Sequence, residues 1–197
     1  VAWSLLGAAA YGVAFDAWNG DVYVPDGLSG AVWAINGTTN RVAAWVPVEP
    51  CPAGIAFDSA NGFLYVANRC PDDVSVIDGT TNTVVASIPI GSEPVGIAFD
   101  AANRHLYVTS ASSTNVTVID DLTNQVSARI PGFSGNGGPE GIAFDNANGY
   151  LYVTNVGTNN VSVVDGATNR VVKWISWGPI MQAGPSAIAF DSANGDL

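Results

Sequence analysis

Apolar residues in this chain fall in short runs, separated by clusters of Asp, Asn, Gly and Thr. No spacing of three or four that a helical face would need recurs. Val74-Ser75-Val76-Ile77, Val116-Thr117-Val118-Ile119 and Val161-Ser162-Val163-Val164 alternate in the two-residue period of a strand. One phrase repeats along the chain, as Gly12-Val13-Ala14-Phe15-Asp16, Gly54-Ile55-Ala56-Phe57-Asp58, Gly96-Ile97-Ala98-Phe99-Asp100 and Gly141-Ile142-Ala143-Phe144-Asp145. Ala187-Ile188-Ala189-Phe190-Asp191 opens a fifth unit. The anchoring aspartates Asp16, Asp58, Asp100, Asp145 and Asp191 are 42, 42, 45 and 46 residues apart. Several short strands per unit at this period predict the blades of a β-propeller.

Each unit reads as four antiparallel strands. The Gly-Ile-Ala-Phe segment is the first, and Val22-Tyr23-Val24, Leu64-Tyr65-Val66, Leu106-Tyr107-Val108 or Leu151-Tyr152-Val153 is the second. The alternating segment is the third, and a segment such as Val84-Val85-Ala86-Ser87-Ile88 is the fourth and outermost. Turn residues stand between them, as in Asp78-Gly79-Thr80-Thr81-Asn82. A unit alone exposes an apolar face, so neighbouring units must stack. The expectation is an all-β propeller of four-stranded antiparallel blades of about 42–46 residues, with four complete repeats and partial units at both ends. It forms a single domain over residues 1–197 that belongs to a longer or processed protein. Val1–Tyr11 is apolar but lacks the basic flank of a signal peptide, and reads as strand.

Tyr152-Val153-Thr154-Asn155 spells the signature of the YVTN-type β-propeller repeat family, which the chain resembles over nearly its whole length. Ala56-Phe57-Asp58, Leu64-Tyr65-Val66-Ala67-Asn68 and Val76-Ile77-Asp78 follow the same pattern. Such repeats occur in archaeal and bacterial cell-surface and surface-layer proteins, so the resemblance implies an extracellular, non-catalytic role. Lyases and lactonases also use this fold, which leaves an enzyme as the alternative.

Asp16 to Asn36, Asp58 to Asp78, Asp100 to Asp120 and Asp145 to Asp165 are each 20 residues apart. The asparagines Asn40, Asn82, Asn124 and Asn169 each follow 24 after the first Asp. Length varies only beyond that second turn, in Ile130–Glu140 and Trp174–Pro185. Those connections share a propeller face with the loops between strands two and three. They are either a recognition surface or tolerated insertions. A ring of repeated carboxylates suggests a cation, but Asp at the first position of a turn caps backbone N–H groups, and Asn36 replaces it in one turn. No metal site is therefore expected.

His105, the only histidine, shares its position with Asp21, Phe63, Tyr150 and Asp196, and reads as a surface strand residue beside no distinctive serine. No catalytic centre and no cofactor are expected. Trp3, Trp45 and Trp174 share a column of strand four with Ser87 and Arg129. With Phe133 and Trp177 they form a candidate interaction surface, for another subunit or a sugar, unless the tryptophans cover gaps between blades.

The net charge is −11 with 12% charged residues and no basic cluster, which disfavours nucleic acid. No apolar run is long enough for a membrane span. Asn36-Gly37-Thr38, Asn115-Val116-Thr117 and Asn160-Val161-Ser162 are glycan acceptor sequons in an exported protein. Cys51 and Cys70 are the only cysteines, and both connections that carry them lie on one face of the second unit, which favours a disulfide over two buried thiols. The whole predicts an extracellular scaffold with protein or glycan partners at the cell surface, self-assembly among them.

Overall fold

The computed structural model describes residues 10–133, 137–176, 184–191 and 193–197. Sixteen strands form four antiparallel four-stranded sheets, each with its strands in chain order. The first sheet holds β1 (Ala14–Phe15), β2 (Asp21–Asp26), β3 (Ala31–Asn36) and β4 (Arg41–Pro47). The second holds β5 (Pro52–Phe57), β6 (Phe63–Asn68), β7 (Asp73–Asp78) and β8 (Thr83–Pro89). The third holds β9 (Pro94–Asp100), β10 (His105–Ser110), β11 (Asn115–Asp120) and β12 (Gln125–Pro131). The fourth holds β13 (Pro139–Asp145), β14 (Tyr150–Asn155), β15 (Asn160–Asp165) and β16 (Arg170–Ser176). Strand four of every unit is a sheet edge, as the sequence predicts. The chain divides into two compact units, Val1–Pro94 and Val95–Leu197, and each encloses a core of its own. Among the described residues no helix is long and apolar enough to cross a membrane.

The turn chemistry explains the repeated Asp. Oδ1 of Asp16, Asp58, Asp100, Asp145 and Asp191 accepts the N–H two residues ahead, at 2.8 Å from Trp18, Ala60 and Ala147 and 2.9 Å from Ala102 and Ala193. In the second turn Asn36 serves as well as Asp, since its Oδ1 accepts Thr39 N–H at 2.9 Å. The Thr80 hydroxyl on Asp78, and the Thr123 backbone N–H on Asp120, hold those partly exposed carboxyls below their ordinary pKa. Asn40, Asn82, Asn124 and Asn169 have φ of 53–55°, the left-handed region that Asn tolerates, which is why this position keeps its spacing.

Strands two and three are buried on both faces, so the alternation in strand three does not separate inside from outside. Ser75, Thr117 and Ser162 are buried and hydrogen-bonded. Ser75 and Ser162 accept from Asn68 and Asn155 at 2.8 and 2.9 Å, and Thr117 accepts from Arg129 at 3.0 Å. In the first unit Ala14, Tyr23, Val32, Ala34 and Val46 of one sheet pack on Ile55, Leu64, Val66 and Ile77 of the next. In the second unit Tyr107, Val116, Val118 and Ile130 pack likewise on Leu151, Val153 and Val164.

A polar lock accompanies each stacked pair. The buried Tyr107 hydroxyl lies 3.0 Å from the Gly166 carbonyl and 2.9 Å from Asn169 Oδ1, and accepts from Asn103 Nδ2 at 2.9 Å. Tyr23 repeats the arrangement on Gly79 (3.1 Å) and Asn82 (2.9 Å). Tyr23 and Tyr107 thus each reach the second turn of the following sheet within their own unit. Burial pushes the Tyr107 phenol up to about 12, with the bond from Asn103 opposing and the Asp100 and Asp165 carboxylates adding. First strands also approach closely: a Cβ on Gly96 would collide with the Glu140 carbonyl oxygen and sit 2.7 Å from Thr109 Oγ1. Gly96 N–H is instead capped by Thr109 Oγ1 at 2.9 Å, and Gly141 N–H by Thr154 Oγ1 at 2.8 Å.

Tyr152 is half-buried and, among the described residues, receives only Asn148 Nδ2, at 3.2 Å. Tyr107→Phe is therefore expected to lower the unfolding free energy by about 1–2 kcal/mol, and Tyr152→Phe by less than half of that, in urea titrations. Because the folded Tyr107 pKa lies above the ordinary 10.0, its contribution is complete below pH 10 and lost as pH rises through about 12. Tyr107→Phe should flatten that alkaline arm. Equal losses for the two variants would contradict the lock.

Candidate functional site

The second sheet departs from the repeat at one end, where the connection before β5 meets the β6–β7 hairpin. Cys51 and Cys70 are bonded there, with Cα atoms 5.6 Å apart, as the sequence favoured. Arg69 N–H donates to the Cys51 carbonyl at 3.0 Å, so the two connections are joined by backbone as well as by sulfur. The hairpin also grips the segment after β8. The Asp72 carbonyl accepts Ile90 and Gly91 N–H at 3.0 and 2.8 Å, and Asp72 Oδ1 accepts Glu93 N–H at 2.7 Å.

Part of this grip belongs to the repeat. The Gly30 carbonyl accepts Val48 N–H at 3.0 Å in the first sheet, and Thr114 accepts Phe133 N–H at 3.2 Å in the third. Cys51 and Glu93, with φ of 58° and 50°, are left-handed at one shared repeat position, directly before Pro52 and Pro94, and Ser92, with φ of 67°, precedes Glu93. Non-glycine residues in this region cost roughly 1–3 kcal/mol each unless their surroundings hold them. Here the disulfide and Asp72 do so.

A cavity of about 520 Å³ opens between these segments. The disulfide and Pro52 form one wall, and Tyr11 and Leu28 supply exposed apolar surface. Arg69, Asp72 and Glu93 bring charge of both signs. Within the described residues the half-buried Arg69 guanidinium has no carboxylate at ion-pairing distance. Sequence reasoning singled out the two cysteines but not Arg69, Asp72 or Glu93. The available signal was the irregular Pro50-Cys51-Pro52 and Arg69-Cys70-Pro71-Asp72 in an otherwise regular unit.

The other sequence candidates lie apart from this cavity. Trp45 (51% exposed) faces Trp33 across the β3–β4 pair, and Trp174 (56% exposed) stands on edge strand β16. Both present surface, whereas Trp3 and Trp177 lie outside the described residues. Phe133 does not belong to an interaction surface: it is 2% exposed, because its N–H bond to Thr114 turns its ring into the core of the second unit.

Asn36 spends its amide on the turn, donating to Asp21 Oδ1 at 3.1 Å, so a glycan there would break a hydrogen bond. Asn115 and Asn160 open β11 and β15 at partly exposed positions. His105 is half-buried rather than a plain surface residue. Its ring stands edge-on to Tyr107 at 6.4 Å, opposite Asp120, and Nδ1 has no hydrogen-bond partner among the described residues. Among the described residues no three His, Cys, Asp or Glu side chains group as a metal site.

In unreduced protein neither cysteine should take up an alkylating reagent, and Cys51→Ser with Cys70→Ser should lower the unfolding free energy by roughly 3 kcal/mol. Two freely alkylated thiols would contradict the bond.

No family model matches the chain, and no curated protein matches it. Among solved structures the chain is similar to the hydrazine synthase of Kuenenia stuttgartiensis, at 22% identity and a TM-score of 0.78. The likeness covers 89% of this chain and 50% of that one, so the chain spans half the length of the structure it resembles. It carries the fold, a β-propeller-like all-β arrangement of four-stranded sheets. With 1402 solved chains matching, that fold is too common to select a function.

Proposed function

We propose that this chain is an extracellular or cell-surface scaffold of the YVTN-repeat type, a β-propeller that binds protein or glycan partners through the connections at one end of its blades. The observation that carries this reading is the Cys51–Cys70 bond. It ties together two connections of one sheet, beside a cavity, at the end opposite the repeated Asp turns. Disulfides persist in oxidising compartments, which supports export. The constant turns serve stacking, whereas the irregular connections are free to serve recognition. Exposed Trp45 and Trp174 on edge strands offer further contact area, self-assembly included.

Protease treatment of intact source cells is expected to release peptides of this chain, with Cys51 and Cys70 oxidised and glycan on Asn115 or Asn160. Recovery only from the cytosol with free thiols would overturn the extracellular assignment. Turnover of a lactone or glycan that His105→Ala abolishes would replace the scaffold with an enzyme.

A further inference from the structure

The first turn of every sheet carries an asparagine, and in three sheets a glycine follows it. The pairs are Asn19-Gly20, Asn61-Gly62 and Asn148-Gly149, against Asn103-Arg104 in the third sheet. In such a pair the glycine N–H stands next to a side-chain amide, with no Cβ to obstruct their approach. This arrangement lets an asparagine lose its amide without an enzyme. The glycine nitrogen attacks Cγ, the new N–Cγ bond closes a cyclic imide, and the Cγ–Nδ2 bond breaks. Nδ2 leaves as ammonia with the proton that the glycine nitrogen gave up. Water then opens the imide at one of its two carbonyls, leaving aspartate or isoaspartate.

The fold treats the three pairs differently. Each glycine N–H donates to the carbonyl of the turn's aspartate, Gly20 to Asp16 at 2.8 Å, and Gly62 to Asp58 and Gly149 to Asp145 at 2.9 Å. The turn must therefore open before the nitrogen can attack. Each asparagine Oδ1 accepts the N–H two residues on, at 2.8–2.9 Å. What else holds the turn shut is not shared. Asn19 Nδ2 donates to the Gly79 carbonyl of the following sheet at 3.0 Å as well as to the Tyr23 hydroxyl at 3.1 Å. Gly62 is buried under the Trp18 ring, where a Cβ would lie 2.6 Å from two ring carbons. Asn148 is exposed, and among the described residues its Nδ2 donates only to Tyr152 of its own sheet, at 3.2 Å. Gly149, with φ of 76°, has nothing within 4 Å of where a Cβ would stand. Gly20 is as open, but its asparagine is tied to the next sheet.

We infer that Asn148-Gly149 is a site of spontaneous deamidation in the folded protein, whereas Asn19-Gly20 and Asn61-Gly62 are held back by the sheet or ring that covers them. The change alters what the turn can bind. Asn19 and Asn103 use Nδ2 to hold the Gly79 and Gly166 carbonyls of the next sheet, each at 3.0 Å. A carboxylate at position 148 accepts hydrogen bonds but donates none, and isoaspartate adds a methylene to the backbone of the turn. Asn148 also gives up its bond to Tyr152. The inference requires no particular location or partner.

The test is to incubate the oxidised chain at mildly alkaline pH and body temperature, folded and in concentrated urea. Peptides that contain each pair are then followed by mass spectrometry with isoaspartate detection. In the folded chain Asn148 is expected to convert at least about fivefold faster than Asn19 or Asn61, since each of those has a further contact to break before its turn opens. In urea the three rates should converge. Tyr23→Phe, which removes one acceptor from the Asn19 amide, should speed conversion of Asn19 in the folded chain and leave that of Asn148 unchanged. Equal rates at the three pairs in the folded chain would overturn the inference. So would slower conversion at Asn148 than at Asn19, or an Asn148 that stays intact while the unfolded chain converts.

Discussion

A four-stranded sheet whose second and third strands are apolar on both faces cannot exist alone in water, and this constraint organises the rest of the structure. Leu64, Val66 and Ile77 of one sheet are completely buried against Tyr23, Val32 and Val46 of its neighbour in the first unit. Apolar contact would allow two sheets to slide or rotate. The Tyr23 and Tyr107 hydroxyls fix the register, because a buried phenol must find its acceptor on one turn of the following sheet. The Asp-capped turns, the left-handed asparagines at Asn82 and Asn169, and the spacing between them all place that acceptor. A strictly constant distance from Asp58 to Asn82 and from Asp145 to Asn169 is thus a packing requirement.

That requirement acts at one end of each sheet. At the other end the hairpin between strands two and three meets the connections that precede strand one and follow strand four. There only a backbone bond such as Gly30 to Val48 or Thr114 to Phe133 is common to the units. Freed from the lock, this end has room for irregular chemistry. The second sheet uses it with a disulfide and a cavity of mixed charge. At this end Cys51–Cys70 and the bonds to Asp72 join the connections around the cavity.

Most of the fold was legible because stacking writes itself into the sequence as a period. Strand order, antiparallel pairing, the outermost fourth strand and the Asp caps all follow from residues that recur. The cysteine pairing was legible because two connections of one antiparallel unit must emerge together. What escaped was whatever the repeat does not constrain. The alternation of strand three did not reveal that Ser75, Thr117 and Ser162 are buried with their hydroxyls hydrogen-bonded inside the structure. Phe133 sat in a stretch of variable length and passed for surface, although one backbone bond to Thr114 folds it inward. Asn36 reads as a glycan acceptor in sequence, while its amide is committed to Asp21. Arg69 and Glu93 were not singled out, because their place beside the cavity depends on backbone shapes that composition does not reveal.

The central claim is that the tyrosine of strand two and the asparagine of the next sheet's second turn act as one unit holding stacked sheets in register. A double-mutant cycle of Tyr107→Phe and Asn169→Ala, read by urea unfolding, measures that directly. The account predicts a coupling free energy of about 0.5–1.5 kcal/mol between two positions 62 residues apart in sequence. Strict additivity of the two substitutions would contradict it.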